Sequence, residues 1–316
     1  MRRVLLMYGL FEPSERHLAA LRALGADPVT ALDEDHAIEA GRTAEMFLGH
    51  RYLRQCLPGA SRLRWVQTTA GGVDRLPCRE LARRGILLTR VTFTAPMIAR
   101  HAHSLAWALT RAVPQAIENQ KLGRWITALP WLPRPKTAAV FGFGAIGQEI
   151  AHLLRRDGIA VHAVNRFGCL PPGAFPPASL RPVAESAVLL PEIDWCFLAM
   201  PANAESVGLV NAAFLARLKP TALLVNVGRG SSVVTADLCA ALREGRLGGA
   251  ALDVVEPLPE SAADPLWATP RLLLTPHVAA HYSERPADME RFAEEQVARY
   301  LHGDPLKNPV DCAAFA

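Results

Sequence analysis

The sequence predicts an α/β protein made of two doubly wound parallel-sheet domains with a cleft between them. Three observations carry this expectation. Short apolar runs alternate with stretches of helical spacing along most of the chain, the pattern of βαβ units. In the second half those runs are continuously apolar, which suits strands covered by helices on both faces. A length of 316 residues corresponds to roughly two domains.

Element by element, Val4–Tyr8, Leu63–Gln67 and Ile86–Leu88 read as strands, and Glu15–Leu24 has helical spacing. The opening MRRVLLMYGLFEP has two arginines and then an apolar run, but it stops at Glu12–Pro13 without a small-residue cleavage site, so it reads as a first strand and not as a signal peptide. Ala99–Ala112 reads as a largely apolar, buried helix, and the following stretch with Pro130, Pro133 and Pro135 as a loop between folding units. Beyond it, Ala138–Phe141, Val161–Val164, Trp195–Met200, Leu223–Asn226, Ala250–Val255 and Leu272–Leu274 are strands. Ile146, Ile150, Leu153 and Leu154 share one helix face, Gly158 ends that helix, and Glu284–Leu301 is the last long helix.

Composition excludes several function classes. Half of the residues are apolar and a fifth charged, and 34 basic against 30 acidic residues leave a net charge of +4. That balance is too weak to argue for a nucleic-acid partner. No run approaches the roughly 18 apolar residues of a membrane helix. The six cysteines contain no CxxC pair, and scattered thiols fit a reduced, cytoplasmic protein. His277 and His281 are four apart, but the Glu of HExxH is missing and no third ligand is evident, so no metal site is expected.

The sharpest motif is Gly142-Phe143-Gly144-Ala145-Ile146-Gly147, a GxGxxG directly after a strand and directly opening a helix. Such a turn needs Gly142 for its tightness, Gly144 for close backbone approach of a pyrophosphate and Gly147 for helix-to-strand packing. The second domain is therefore expected to be a Rossmann-like dinucleotide domain. About 20 residues on, an acid would bond the ribose 2′-OH of NAD. Here Asn165-Arg166 stands 18 residues past Gly147. Loss of the carboxylate and gain of a cation favour NADP over NAD. The bland alternative for Arg166 is a solvated loop residue.

Three further segments place polar residues at strand ends: Asn226-Val227-Gly228-Arg229-Gly230, Leu252-Asp253-Val254-Val255-Glu256-Pro257 and Leu274-Thr275-Pro276-His277. Singly, each has a bland reading as a turn, a solvated loop acid or a capped core histidine. Together they offer a cation, a carboxylate and an imidazole, the set that hydride transfer to a carbonyl requires.

With these motifs in this order, the sequence resembles the D-isomer-specific 2-hydroxyacid dehydrogenases over nearly its whole length. The resemblance runs from WVQTTAGGVD at Trp65–Asp74 through PANAESVGLVN at Pro201–Asn211, KPTALLVNVGRG at Lys219–Gly230, LDVVEPLP at Leu252–Pro259 and TPHVAA at Thr275–Ala280 to NPVD at Asn308–Asp311. It is strongest toward the glyoxylate/hydroxypyruvate reductase branch. It implies that Arg229 binds the substrate carboxylate and carbonyl, that His277 is the acid/base, and that Glu256 orients His277. It implies that Asp253 holds the nicotinamide carboxamide, that Pro201 and Val227 line the cofactor with the glycine turn, and that the backbone at Ala70, Gly71 and Gly72 cradles the substrate carboxylate.

Two departures stand out. Many members place the Glu five residues after the Asp; Glu256 is three after Asp253, and the fifth position is Leu258. Glu260 and Asp264 are alternative partners for His277. Arg100 replaces the Glu that many members carry before the following His.

The expected protein is an NADP- or NAD-dependent reductase of a small 2-oxo acid to the D-2-hydroxy acid. Its substrate domain spans residues 1–98 and 284–316 and its dinucleotide domain 99–283. By the same resemblance it is a homodimer, joined around Ala99–Ala112 and the loop bearing Trp125 and Trp131. The alternative is a non-catalytic dinucleotide-sensing interaction protein, like the transcriptional corepressors of this fold.

Overall fold

The computed structural model describes residues 2–315 apart from 171, 172 and 175. The chain divides into two compact units, Met1–Thr94 with Tyr282–Ala316, and Ala95–His281.

The first unit runs β1 (Arg2–Met7), α1 (Glu15–Ala23), β2 (Ala26–Thr30), α2 (Glu34–Gly41), β3 (Met46–Gly49), α3 (Leu53–Cys56), β4 (Trp65–Gln67), α4 (Cys78–Arg83) and β5 (Leu87–Thr89). All its strands are parallel, in the order β2-β1-β3-β4-β5. Alternation along β1 sends Leu5 and Met7 to a core with Ala37, Leu53 and Leu81, and Val4 and Leu6 to a core with Leu21 and Trp65. That second core is completed from the far end of the sequence by Met289, Ala293 and Val297. β2 and β3 were not legible as strands. β2 carries Asp27 and Pro28 and survives as an edge strand, where a missing N–H is tolerated; β3 is only four residues long.

A buried polar network joins the two ends of this unit. Ser14 caps α1 and donates from N and Oγ to Glu290, Arg16 pairs with Glu290 and Glu294, and His17 bridges Glu294 (2.6 Å) and the Tyr8 hydroxyl (2.7 Å). His17, Glu290 and Glu294 are near enough to one another to hold a metal ion. Both imidazole nitrogens and both carboxylates are already engaged with protein groups, so the cluster is internally satisfied.

The second unit runs α5 (Ala95–Thr110), α6 (Val113–Lys121), β6 (Thr137–Phe141), α7 (Ala145–Arg156), β7 (Ala160–Asn165), β8 (Ser179–Pro182), β9 (Trp195–Leu198), α8 (Ala212–Leu215), β10 (Leu223–Asn226), α9 (Thr235–Arg243), β11 (Gly249–Leu252) and β12 (Leu272–Leu274). Its parallel sheet has the order β12-β11-β10-β9-β6-β7-β8. Ala138 and Val140 face α5 and α7 through Ala102, Leu105, Ile150 and Leu154; Ala139 and Phe141 face Phe214, Leu238 and Leu242 on the other side. The strand order reverses between β6 and β9, and crevices for ligands form at such a reversal. The helix α6 is only nine residues long and none of its residues is buried, so the sequence pattern does not mark it.

The last helix, α10 (Arg285–His302), returns to the first unit. After it, the tail adds to the edge of β5: Val310 N donates to Leu88 O and Arg90 N to Asn308 O.

Candidate active site

The glycine turn after β6 is held by crowding. Gly142 has φ +91°, and a Cβ there would lie 2.7 Å from the Ala199 carbonyl carbon and the Met200 nitrogen. A Cβ on Gly147 would lie 2.0 Å from Gly142 O. Gly144 differs: it is exposed, and a Cβ there would meet nothing within 4 Å. It is the residue preceding α7, and no side chain caps that helix. The open space at Gly144 and the uncapped N–H groups of Ala145 and Ile146 suit a phosphate-bearing ligand. The turn therefore fits a dinucleotide, with two glycines explained by the fold and the third by a ligand.

At the end of β7, Asn165 organises its own loop. Its Oδ1 accepts from Phe167 N and Gly168 N (3.2 and 2.7 Å), and its Nδ2 donates to Cys169 O (2.6 Å). Arg166 lies over the Phe167 ring, 5.2 Å from guanidinium carbon to centroid, and pairs with Glu205 at 3.2 Å. Both side chains are well exposed, at 59% and 45%. Glu205 was not anticipated. It comes from the PANAESVGLVN loop, where Pro201 is exposed and its carbonyl accepts from Ser206 Oγ.

The loop after β10 presents Arg229. Fully buried Asn226 fixes it: Oδ1 accepts from Gly228 N (3.0 Å), and Nδ2 donates to Arg229 O (2.8 Å). A Cβ on Gly228 would lie 2.7 Å from Met200 O, and one on Gly230 2.4 Å from the Val255 carbonyl carbon. The glycines flanking Arg229 are thus required by backbone contact. Val227 is buried and hydrogen-bonded to Leu198 O, and Arg229 itself is half-buried in an extended conformation, Nη1 donating to Gly228 O.

Asp253, 2% exposed, anchors the loop that carries His277. Its Oδ1 accepts from Thr275 Oγ1 (2.6 Å) and Val278 N (2.9 Å), its Oδ2 from Ala279 N (3.1 Å), and its backbone carbonyl from His277 N (2.8 Å). His101 of α5 bonds Thr275 Oγ1 at 3.0 Å and lies 3.5 Å from Asp253 Oδ1. Burial alone raises the Asp253 pKa; the hydrogen bonds from His101, Thr275, Val278 and Ala279 outweigh it and hold the pKa at about 2. His277 is exposed, with a left-handed backbone (φ +57°) that a non-glycine residue adopts only when its surroundings impose it. Thr275 and His101, which impose it together with Asp253, were not singled out from the sequence.

Glu256 is exposed; its backbone carbonyl accepts from Thr235 Oγ1 at 3.0 Å, and its side chain has no partner among the described residues. Among the described residues no hydrogen bond or ion pair joins His277 to Glu256, Glu260 or Asp264. Asp264 instead accepts from Leu266 N.

In the first unit, Ala70 N donates to Thr68 Oγ1 (3.0 Å), which leaves the N–H groups of Gly71 and Gly72 as the donors without a partner among the described residues. His50 Nδ1 braces the same loop through Thr68 Oγ1 (2.8 Å) and Thr69 Oγ1 (3.3 Å).

The family model for the D-isomer specific 2-hydroxyacid dehydrogenase NAD binding domain matches residues 103–279. Among curated relatives, a glyoxylate reductase of Pyrococcus furiosus is 32% identical over 79% of this chain and 77% of its own. A glyoxylate reductase/hydroxypyruvate reductase of Homo sapiens is 28% identical over 94% of this chain and 95% of its own. Among solved structures, the NADPH-dependent glyoxylate/hydroxypyruvate reductase of Sinorhizobium meliloti in complex with NADP and malonate superposes with a TM-score of 0.80 at 26% identity, covering 98% of this chain and 97% of that one. Sequence, sheet order and strand-end residues agree: the chain belongs to the D-isomer specific 2-hydroxyacid dehydrogenase family.

Proposed function

We propose that the protein is a reductase that uses NADPH in preference to NADH to convert a small 2-oxo acid of the glyoxylate or hydroxypyruvate kind to the D-2-hydroxy acid. The observation that carries this reading is the pairing, at the carboxyl ends of one parallel sheet, of a ligand-ready glycine turn with Arg229 and an exposed His277 on a loop fixed by Asp253. The Ala95–His281 unit is the dinucleotide domain, and the other unit is the substrate domain.

Gly142–Gly147 would hold a nicotinamide dinucleotide, which would supply the hydride for the keto carbon. His277, as imidazolium, gives its proton to the carbonyl oxygen, so that the alkoxide is neutralised as it forms. Arg229 holds the substrate carboxylate and stabilises that developing charge, with planar bidentate donors that a lysine lacks. By the family resemblance the Gly71 and Gly72 N–H groups also bind a substrate carboxylate, with Ala70 shaping their turn. Asp253 acts chiefly as the anchor of the His277 loop, and its Oδ2, with one protein donor, retains capacity for a carboxamide N–H. Glu256 is the carboxylate assigned by its EPLP context; its side chain is exposed and has no partner among the described residues, so its role in orienting His277 would be exercised when ligands are bound. In the oxidative direction His277 must accept the proton, so reduction is favoured at lower pH than oxidation.

Arg166 supports the choice of NADP, as the cation that follows β7 in place of a strand-end acid, with Glu205 of the neighbouring loop as its present partner. A homodimer is supported by the apolar side chains that α6 and the segment after it leave in solvent: Ile117, Leu122, Ile126 and Trp131 are exposed, and Trp125 is 97% exposed. Six free cysteines, one of them exposed, support a reducing, cytoplasmic setting. Steady-state oxidation of NADPH by glyoxylate and hydroxypyruvate tests the whole reading. Turnover with neither substrate would refute it.

A further inference from the structure

The substrate unit holds, beside its Gly71–Gly72 loop, a guanidinium that the proposed reaction does not use. Arg285 opens α10, and its Nη2 reaches the Thr69 carbonyl at 3.4 Å, just before the Gly71–Gly72 amide pair. It is half-buried, and burial pushes its pKa down. No carboxylate lies within ion-pair distance of it among the described residues. The acids on its own segment are engaged elsewhere: Asp288 accepts from the Tyr282 hydroxyl (2.7 Å) and from Arg291, and Glu284 accepts from Ser283 Oγ (2.6 Å). On the same loop, His50 Nδ1 is committed to Thr68 and Thr69. Burial also pushes the His50 pKa down, which favours the neutral imidazole.

A half-buried cation held by one long hydrogen bond is poorly compensated, and an anion that reaches it recovers the lost solvation. The monocarboxylate of glyoxylate is already assigned to Gly71, Gly72 and Arg229. We infer that Arg285 reads a second carboxylate on the substrate, so that the preferred substrates are 2-oxo acids with a distal carboxylate, held between the Gly71–Gly72 amides and the Arg285 guanidinium. This inference rests on the reductase reading and narrows its substrate class.

Oxaloacetate and 4-methyl-2-oxopentanoate have nearly the same shape and differ in whether the distal branch is charged. Glyoxylate has no distal branch. With NADPH, wild-type kcat/KM should favour oxaloacetate over 4-methyl-2-oxopentanoate by about tenfold or more, the worth of one charge-assisted contact. Arg285→Gln should lower kcat/KM for oxaloacetate by roughly ten- to a hundredfold, mainly through KM, and leave glyoxylate within about threefold. Arg285→Lys should recover part of the oxaloacetate loss at unchanged Tm, which separates recognition from folding. Equal losses on all three substrates would place Arg285 on the common carboxylate and overturn the inference. So would an unchanged substrate order in Arg285→Gln, or a wild-type preference for the uncharged branch. Failure of the wild-type enzyme on glyoxylate would strike the reductase reading itself.

Discussion

Two loop clusters at the carboxyl ends of one sheet are built differently. Behind β11 and β12, Asp253 is buried, its carboxylate accepts three hydrogen bonds of 2.6–3.1 Å, and the chain beside it is forced into a left-handed turn at His277. Behind β7, the Asn165 loop is held by its own side chain, and the Arg166–Glu205 pair lies in solvent, where such pairs contribute about 0–1 kcal/mol. The first cluster is prebuilt and intolerant; the second is adjustable. That is a sensible division if the reacting atoms need fixed geometry while the cofactor tail needs only discrimination.

The difference is broken most directly at His277. His277→Ala should reduce kcat by about 10²–10⁴-fold with little loss of stability, since the side chain is exposed. A wild-type rate in single-turnover measurements would remove it from the reaction.

The glycine turn offers a sharper contrast within three residues. Gly147→Ala must push a methyl group against Gly142 O and should destabilise the protein by about 3 kcal/mol or more in denaturant titrations. Gly144→Ala meets no neighbour and has an ordinary φ of −81°, so its Tm should hold while NADPH affinity falls. If both variants behave alike, the separation of fold glycine from ligand glycine is wrong.

Strong acid should loosen the Asp253 cluster. Its pKa is about 2 in the folded protein and about 3.9 in an unfolded chain. A depressed pKa contributes stability that is present above the unfolded value and is lost as pH falls from about 4 to 2, at most about 2–3 kcal/mol. Asp253→Asn should remove that pH dependence and lower kcat, because an amide cannot accept from Thr275, Val278 and Ala279 together. Equilibrium unfolding at pH 3 and pH 7 provides the comparison.

The smallest effect is expected at the adjustable end. Arg166→Ala should weaken NADPH by about tenfold, toward the low end for a charge-assisted contact, because Glu205 competes for the guanidinium. NADH should be nearly unaffected, and titration of both cofactors distinguishes the outcomes.

Much of the second unit was legible in the sequence because its signals are local. Leu223–Asn226 and Leu272–Leu274 are bounded as the apolar runs indicate, and the glycine motif carries its own geometry. What escaped is what depends on distant partners. Asp253 looks like a ligand-facing acid in sequence, yet most of its carboxylate is taken up by Thr275, Val278 and Ala279, more than twenty residues away. Ala70 was grouped with Gly71 and Gly72 as an amide donor, but Thr68 takes its N–H. Glu205 beside Arg166 and Arg285 beside Thr69 come from segments whose own patterns say nothing about proximity. The shortened loop between Asp253 and Glu256 was visible in the spacing. The exposed Glu256 side chain, without a partner among the described residues, is its structural counterpart.

The closure of the first unit by α10 governs the order in which the protein can be made. Val4, Leu6, Leu21 and Trp65 leave the ribosome early, but Met289, Ala293 and Val297, which cover them, are encoded after the entire second unit. At bacterial-to-eukaryotic elongation rates of about 5–20 residues per second, synthesis of the intervening segment takes roughly 10–40 s. Throughout that interval the nascent sheet presents one uncovered apolar face, and Glu290 and Glu294 are not yet there to meet Ser14, Arg16 and His17. The second unit is contiguous and can mature on the ribosome, whereas the first waits for the last helix. The early portion of the chain is therefore the natural client of a holdase chaperone, and a release that came before α10 would leave it sticky.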